Sequence, residues 1–156
     1  MKKIYLDITK ANSCTSVFLK DAEVIFAGTT VNAMSVKHKN SEYRRFDEEY
    51  GIRFIFEDNI PTVDFYTIPM VEIFAVDNTG GFIGSVGKST DLQEDIPTCY
   101  IDAEKNCYLI AENGEELLKK VQRWKDEMTP YNAIEFFESL EAAQEKYEFL
   151  DRDKFS

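Results

Sequence analysis

A series of short apolar segments between Gly51 and Ile110 constrains the fold of this chain more than any other feature of its sequence. The segments are rich in aromatic and β-branched side chains, and several alternate apolar with polar positions. Glycine, proline, asparagine and aspartate separate them. They cover residues 52–56, 63–68, 71–76, 82–84, 98–101 and 107–110. Because this pattern is typical of strands joined by turns, we predict a largely antiparallel sheet of five or six strands.

Two amphipathic segments follow the predicted sheet. Asn113 is suited to cap the first helix, with Glu116 three positions later, and Thr129-Pro130 is suited to open the second. The apolar positions at helical spacing are Leu117, Val121, Trp124 and Met128, then Phe136, Leu140, Ala143, Tyr147 and Leu150. Each helix needs an apolar surface to cover, and the sheet provides one. We therefore predict an α+β fold with two C-terminal helices packed on one face.

The first fifty residues carry a less regular pattern. Residues 3–8 and 22–27 are compatible with strands, and residues 41–50 have the spacing of a helix. The whole chain has 156 residues, of which 44% are hydrophobic, which is enough for one core. We therefore expect a single domain that spans residues 1–156.

Charge and composition argue against several classes of protein. The chain has 18 basic and 29 acidic residues and a net charge of −11, which disfavours direct binding to nucleic acid. No apolar run approaches the roughly 18 residues of a membrane helix, and no signal-peptide core follows Met1. The three cysteines form no Cys-x-x-Cys pair, and the single histidine, His38, lies between two lysines. We expect a cytoplasmic protein that binds no membrane, no metal and no cofactor.

The glycine-rich residues 80–90 resemble a phosphate-binding loop at first sight. Such a loop needs a glycine, four residues and then Gly-Lys-Ser/Thr, which places Phe82 where the first glycine belongs. Three acidic residues and a proline then follow Lys88 instead of a helix with a positive N-terminus. We interpret the segment as a turn and an irregular edge strand.

Six residues are predicted to contact a partner. The acidic residues among them suit the steering of a basic partner, because a carboxylate-rich surface raises the rate of association without any chemistry. The two aromatic residues lie near strand ends or glycine turns, where a ring can point outward. The six are Tyr66, Asp77, Phe82, Asp91, Glu94 and Asp95. A role of the acidic residues in metal binding or acid–base catalysis is the alternative.

The segment from Tyr66 to Lys120 resembles the C-terminal half of the SUKH superfamily of bacterial immunity proteins and relatives of a fungal cell-wall regulator. Three motifs carry the resemblance, which covers about a third of the chain: IFAVD before the glycine turn at residues 80–81, the strand after Pro97, and LIAENGEELL. The resemblance implies an α+β fold around a mixed sheet and no cofactor or catalytic residue. For many bacterial members it also implies tight binding that neutralises a toxin.

These observations lead to one expected function and two alternatives. We expect a non-enzymatic protein-binding module that blocks a basic toxin with an acidic face formed by the sheet and residues 77–95. An intracellular regulatory or scaffold protein of the same fold is the first alternative. The second is a nucleotide- or metal-dependent enzyme that uses Lys88 with Asp77 and Asp91. The sequence indicates no oligomeric state.

Overall fold

The computed structural model describes residues 2–9, 22–87 and 96–149, which form an α+β fold around one large sheet. The strands are β1 (Lys2–Asp7), β2 (Ala22–Ala27), β3 (Thr29–Val31), β4 (Arg53–Phe54), β5 (Tyr66–Ile68), β6 (Val71–Val76), β7 (Phe82–Val86), β8 (Thr98–Ile101), β9 (Cys107–Ala111), β10 (Thr129–Pro130) and β11 (Glu135–Phe137). The helices are α1 (Ser41–Arg45), α2 (Gly114–Lys120), α3 (Trp124–Glu127) and α4 (Leu140–Lys146). The predicted fold class is confirmed.

Short helical turns of other types extend two of these helices. A π-helical turn, Phe46–Tyr50, follows α1, and a 3₁₀ turn, Val121–Arg123, joins α2 to α3. A further 3₁₀ turn, Val36–His38, precedes α1. In the part of the chain that the structure describes, no helix combines the length and the apolar character that spanning a membrane requires.

The large sheet is mixed and has the strand order β10-β9-β8-β7-β6-β3, with β4 also paired to β6. Every pairing in it is antiparallel except that of β3 with β6. Two smaller sheets stand apart, a parallel pair of β1 with β2 and an antiparallel pair of β5 with β11. The predicted hairpin over residues 98–110 is confirmed, whereas the strands expected at 52–56 and 63–68 shorten to β4 and β5.

The prediction of an edge strand after the glycine turn is wrong, because β7 lies inside the sheet between β6 and β8. Gly84 allows this close pairing. A Cβ atom at Gly84 would lie 2.8 Å from both the carbonyl oxygen of Glu72 and Cγ1 of Val71. Any side chain at this position would therefore push β6 and β7 apart.

The sheet separates two apolar clusters, and a third lies beside it. The helices α1, α2 and α3 cover one face, where Trp124, Leu117 and Phe46 pack on Ile83 and Ile110. Irregular chain covers the opposite face, and its buried residues include Ile55, Phe65 and Ile134. The third cluster lies between β1, β2, β5 and α4. The prediction that helices pack on one face therefore holds for α1 to α3, while α4 packs on the smaller sheets.

The first C-terminal helix begins as predicted. The side chain of Asn113 accepts a hydrogen bond from the backbone N–H of Glu116 at 2.8 Å, which satisfies one of the free donors of the first turn. The helix is interrupted at the 3₁₀ turn and resumes as α3. Leu117, Val121 and Trp124 still face the sheet, so the predicted apolar stripe is confirmed.

The second C-terminal helix begins ten residues later than predicted, which is a correction. Thr129–Pro130 forms β10 and pairs with β9, where an edge position tolerates the missing N–H of Pro130. Phe136 lies in β11 and packs against Phe65 at a ring distance of 5.6 Å. The helix itself begins at Leu140, and the Ser139 hydroxyl accepts its capping hydrogen bond from Ala142 N–H at 3.2 Å.

A pair of cap variants tests this assignment of the second helix. We expect Ser139→Ala to lower the free energy of unfolding by about 1 kcal/mol, because it removes the cap of α4. Thr129→Ala is the matched control, and its effect should stay within about 0.5 kcal/mol, since Thr129 is exposed and caps no helix. Urea unfolding followed by circular dichroism measures both values. A larger loss for Thr129→Ala would restore the helix predicted from the sequence.

Candidate functional site

The structure describes three of the six predicted partner-contact residues, Tyr66, Asp77 and Phe82, and Tyr66 and Asp77 are buried. Tyr66 is 4% exposed and its hydroxyl donates to Oδ1 of Asp7 at 2.8 Å. Burial, together with that hydrogen bond, raises the pKa of Tyr66 well above its usual range. Phe82 is half-buried and packs against Phe65 at a ring distance of 5.7 Å. Tyr66 is therefore corrected to an interior residue, and Phe82 belongs largely to the core.

Asp77 is also an interior residue, which is a second correction. Its side chain has no exposed surface and accepts five polar contacts. Oδ1 accepts from the backbone N–H groups of Thr79 at 3.1 Å and Gly81 at 2.7 Å. Oδ2 accepts from the hydroxyls of Thr79 and Tyr100, both at 2.7 Å, and pairs with Lys125 at 3.1 Å. A carboxylate this fully engaged holds the β6–β7 turn together.

The pKa of Asp77 reflects two opposed causes. Burial alone would raise it, because desolvation disfavours the charged carboxylate. The hydrogen bonds from Thr79, Tyr100 and Gly81 and the contact with Lys125 outweigh burial and lower the pKa of Asp77 to about 2. Burial, reinforced by Asp77, raises the pKa of Tyr100 to about 12. Neither group is therefore tuned for proton transfer near neutral pH.

The glycines of the phosphate-loop look-alike serve this same turn. Gly80 has a φ of 89°, and a Cβ atom on Gly81 would lie within 2.5 Å of the Tyr100 ring. The chain then enters β7 at Phe82 instead of wrapping a phosphate. The remaining predicted residues of this region, Lys88, Asp91, Glu94 and Asp95, lie outside the described residues.

Sulfur and histidine chemistry finds little support in the described segments. Cys99 and Cys107 are free thiols on neighbouring strands, and the hydrogen bond with Cys107, together with burial, raises the pKa of Cys99. A buried thiol with a raised pKa is a poor nucleophile. His38 is exposed on its 3₁₀ turn. Within residues 2–9, 22–87 and 96–149, no three His, Cys, Asp or Glu side chains gather in a way that would hold a metal ion.

A cavity of about 280 Å³ on the helix-covered face is the feature that sequence reasoning missed. Its floor is the sheet and its two walls are helical. Tyr43 and Phe46 belong to the wall around α1, and Leu117, Val121 and Trp124 to the wall around α2 and α3. The floor residues are Glu72, Phe74, Ile83, Ser85, Thr98 and Ile110.

The cavity is open to solvent and has an apolar rim. Leu118, which lines it, is 63% exposed, one of few large apolar side chains so exposed among the described residues. Where the two helical walls meet, the indole N–H of Trp124 donates a hydrogen bond to the carbonyl oxygen of Tyr50 at 2.7 Å. This hydrogen bond ties the α3 wall to the turn that follows α1. The cavity is thus a preformed apolar recess of the kind that binds ligands.

Three polar side chains form a row across the floor. Glu72 of β6 is opposite Ser85 of β7, and Ser85 is opposite Thr98 of β8. Neighbouring strands lie about 5 Å apart, so the three side chains are adjacent. Burial raises the pKa of Glu72. Among the described residues, none donates a hydrogen bond to this carboxylate or forms an ion pair with it.

One signal in the sequence points to the floor. Glu72 is the single charged residue in the strand VEIFAV, and alternation places it on the same side as Phe74. A carboxylate that shares a face with an aromatic core residue is unusual unless it has a role. The walls carry no comparable signal, because their residues have the ordinary spacing of core-facing helices.

No protein-family model, curated protein or solved structure matches this chain. The SUKH resemblance therefore stays a prediction.

Removal of the Asp77 carboxylate tests its structural role. We expect Asp77→Asn to lower the free energy of unfolding by about 2–3 kcal/mol, because the amide cannot accept all five contacts and leaves Lys125 without its partner. Asp58→Asn is the matched control. The side chain of Asp58 is 51% exposed and pairs with Lys39 at 2.7 Å, so its loss should cost at most about 1 kcal/mol. Equal effects in urea unfolding would contradict the assignment.

The pH dependence of stability gives an independent test. An aspartate has a pKa of about 3.9 in an unfolded chain, and Asp77 has a pKa of about 2 in the folded one. Its contribution to stability, about 2–3 kcal/mol, is therefore present above about pH 4 and is lost as the pH falls toward 2. The stability gap between the wild type and Asp77→Asn should shrink over that range in urea titrations. A constant gap would exclude the charged carboxylate as its source.

Proposed function

We propose that this chain is a non-enzymatic binding module whose cavity receives a side chain from a protein partner. The observation that carries the proposal is the open apolar cavity of about 280 Å³ between α1 and α2. Its volume is just below the range of about 300–1,000 Å³ that is common for ligand pockets. One side chain of a partner fits such a recess better than a nucleotide or a large cofactor does. An aliphatic or aromatic anchor in a pocket is also how many protein interfaces concentrate their binding energy.

The charge of the chain supports a basic partner. A net charge of −11 raises the encounter rate with a positively charged protein and disfavours acidic ones. A toxin that acts on nucleic acid has a basic surface of this kind, and a cytoplasmic location accords with that role. An intracellular regulatory partner with a basic surface would use the same cavity.

The structural contacts of Asp77 weaken the enzymatic alternative. Asp77, which the nucleotide- or metal-dependent reading requires, has both carboxylate oxygens occupied by structural contacts. Lys88 and Asp91 lie outside the described residues. The polar side chains on the cavity floor are a carboxylate and two hydroxyls, an arrangement that suits recognition.

Peptide selection with cavity-filling variants tests this function. Peptides are selected from a random-sequence display library on the wild-type chain, and their affinity is measured by fluorescence of Trp124, the single tryptophan. We expect Ser85→Leu, which fills the floor, and Val121→Phe, which fills the wall, each to weaken binding at least tenfold. Leu118→Ala at the rim should weaken it about threefold.

Ile60→Ala is the matched control for Leu118→Ala, because Ile60 is 55% exposed and does not line the cavity. Its peptide affinities should equal those of the wild type. Circular dichroism confirms that each variant is folded before binding is measured. Selected peptides that bind Ser85→Leu and Val121→Phe as tightly as the wild type would contradict a role of the cavity.

A further inference from the structure

We infer that the side chain received by the cavity is a lysine, whose ammonium group binds Glu72 on the cavity floor. The inference rests on the proposed function and names the occupant of the same site. Glu72 lines the cavity beside Phe74 and Ile83 and is half-buried. An apolar recess with a carboxylate at its floor is complementary to an apolar stem that ends in a positive charge.

The state of Glu72 in the free protein is the first argument. Its carboxylate is partly withdrawn from water and receives no hydrogen bond or ion pair from the described residues. A carboxylate in this position is destabilised in its charged form, in contrast to Asp77 five residues later. A cation that enters the cavity would supply the missing partner.

The row of polar groups is the second argument, and it favours an ammonium over a guanidinium. A nitrogen above Ser85 would have Glu72 on one side and Thr98 on the other, because the three residues are cross-strand neighbours. An ammonium group has three N–H donors that point in different directions, which suits three separate acceptors. A guanidinium group is planar and suits a bidentate contact with a single carboxylate.

The walls and the overall charge are the third argument. The four-carbon stem of lysine matches the apolar lining that Phe46, Phe74 and Val121 provide. Aromatic rings also line the cavity, and a cation near the face of such a ring gains a favourable cation–π contact. The net charge of −11 draws lysine-rich proteins toward the chain. A lysine on a basic partner thus matches the apolar walls, the carboxylate on the floor and the negative charge of the chain.

Small probes test the role of Glu72 directly. The probes are n-pentylamine, which reproduces the lysine side chain together with its Cα, 1-pentanol as its neutral match, and hexanoate as its negative match. Trp124 fluorescence and two-dimensional NMR measure their affinity for the wild type and Glu72→Gln. We expect the wild type to bind the amine at least tenfold more tightly than the alcohol, and hexanoate most weakly. Glu72→Gln should bind the amine only as well as it binds the alcohol.

Two outcomes separate this inference from the proposed function. Equal affinities of the wild type for amine and alcohol, with perturbation of cavity residues, would overturn the role of Glu72 and leave the cavity as a binding site. No perturbation of cavity residues by any probe up to its solubility limit would contradict both. Glu116→Gln is the control variant, because Glu116 pairs with Lys120 outside the cavity. Its preference for the amine should equal that of the wild type.

Blocked peptides test the source of the amine. The peptide Ala-Ala-Lys-Ala-Ala is compared with versions in which norleucine or arginine replaces the lysine. We expect the lysine peptide to bind at least fivefold more tightly than either, and to lose this advantage in Glu72→Gln. Binding of n-pentylamine without binding of the lysine peptide would show that the cavity takes a free amine and overturn the assignment to a partner. A stronger arginine peptide would overturn the choice of lysine.

Discussion

The close pairing of β6 with β7 is the constraint on which the rest of the structure depends. It requires Gly84, because any Cβ atom there would collide with the backbone of Glu72. The register that results places Glu72 opposite Ser85 on the helix-covered face. It also closes the turn in which Asp77 collects its hydrogen bonds. The glycine contact thus sets the position of Glu72, and the same pair of strands ends in the turn that Asp77 stabilises.

The two carboxylates illustrate how environment separates structural from binding groups. Asp77 has no exposed side-chain surface, yet its pKa is low because hydroxyls, amides and an ammonium surround it. Glu72 retains part of its exposure, yet its pKa is raised because apolar side chains surround it. The Glu72 carboxylate can therefore still accept hydrogen bonds from a ligand. The Asp77 carboxylate already accepts its hydrogen bonds from within the protein.

The sequence was sufficient for several strands of the large sheet and for the first cap of the C-terminal region. Alternation and turn residues are local signals, so the strands at 71–76, 98–101 and 107–110 and the Asn113 cap could be predicted from them. The segment after Thr129 could not, because its conformation depends on a pairing with β9 some twenty residues away. The apolar spacing there is equally compatible with a helix and with alternating contacts to two clusters. Local pattern does not decide between them.

The candidate site shows the same division. The charge of Asp77 was visible in the sequence, but its burial depends on Tyr100 and Lys125, which come from distant elements. The cavity needs the register of three strands and the placement of two helical walls. Only Glu72, a lone charge in an apolar strand, gave a local indication of it. Sites assembled by tertiary contacts between separate elements are therefore difficult to predict from the periodicity of the sequence.

Trp124 also has a consequence for the thermodynamics of association. Its hydrogen bond to Tyr50 joins the two sides of the recess, and Lys125 beside it is anchored to Asp77. The separation of the sides is thereby set by folding itself. An incoming group meets a shape that already exists, so the loss of conformational entropy on binding falls mainly on that group.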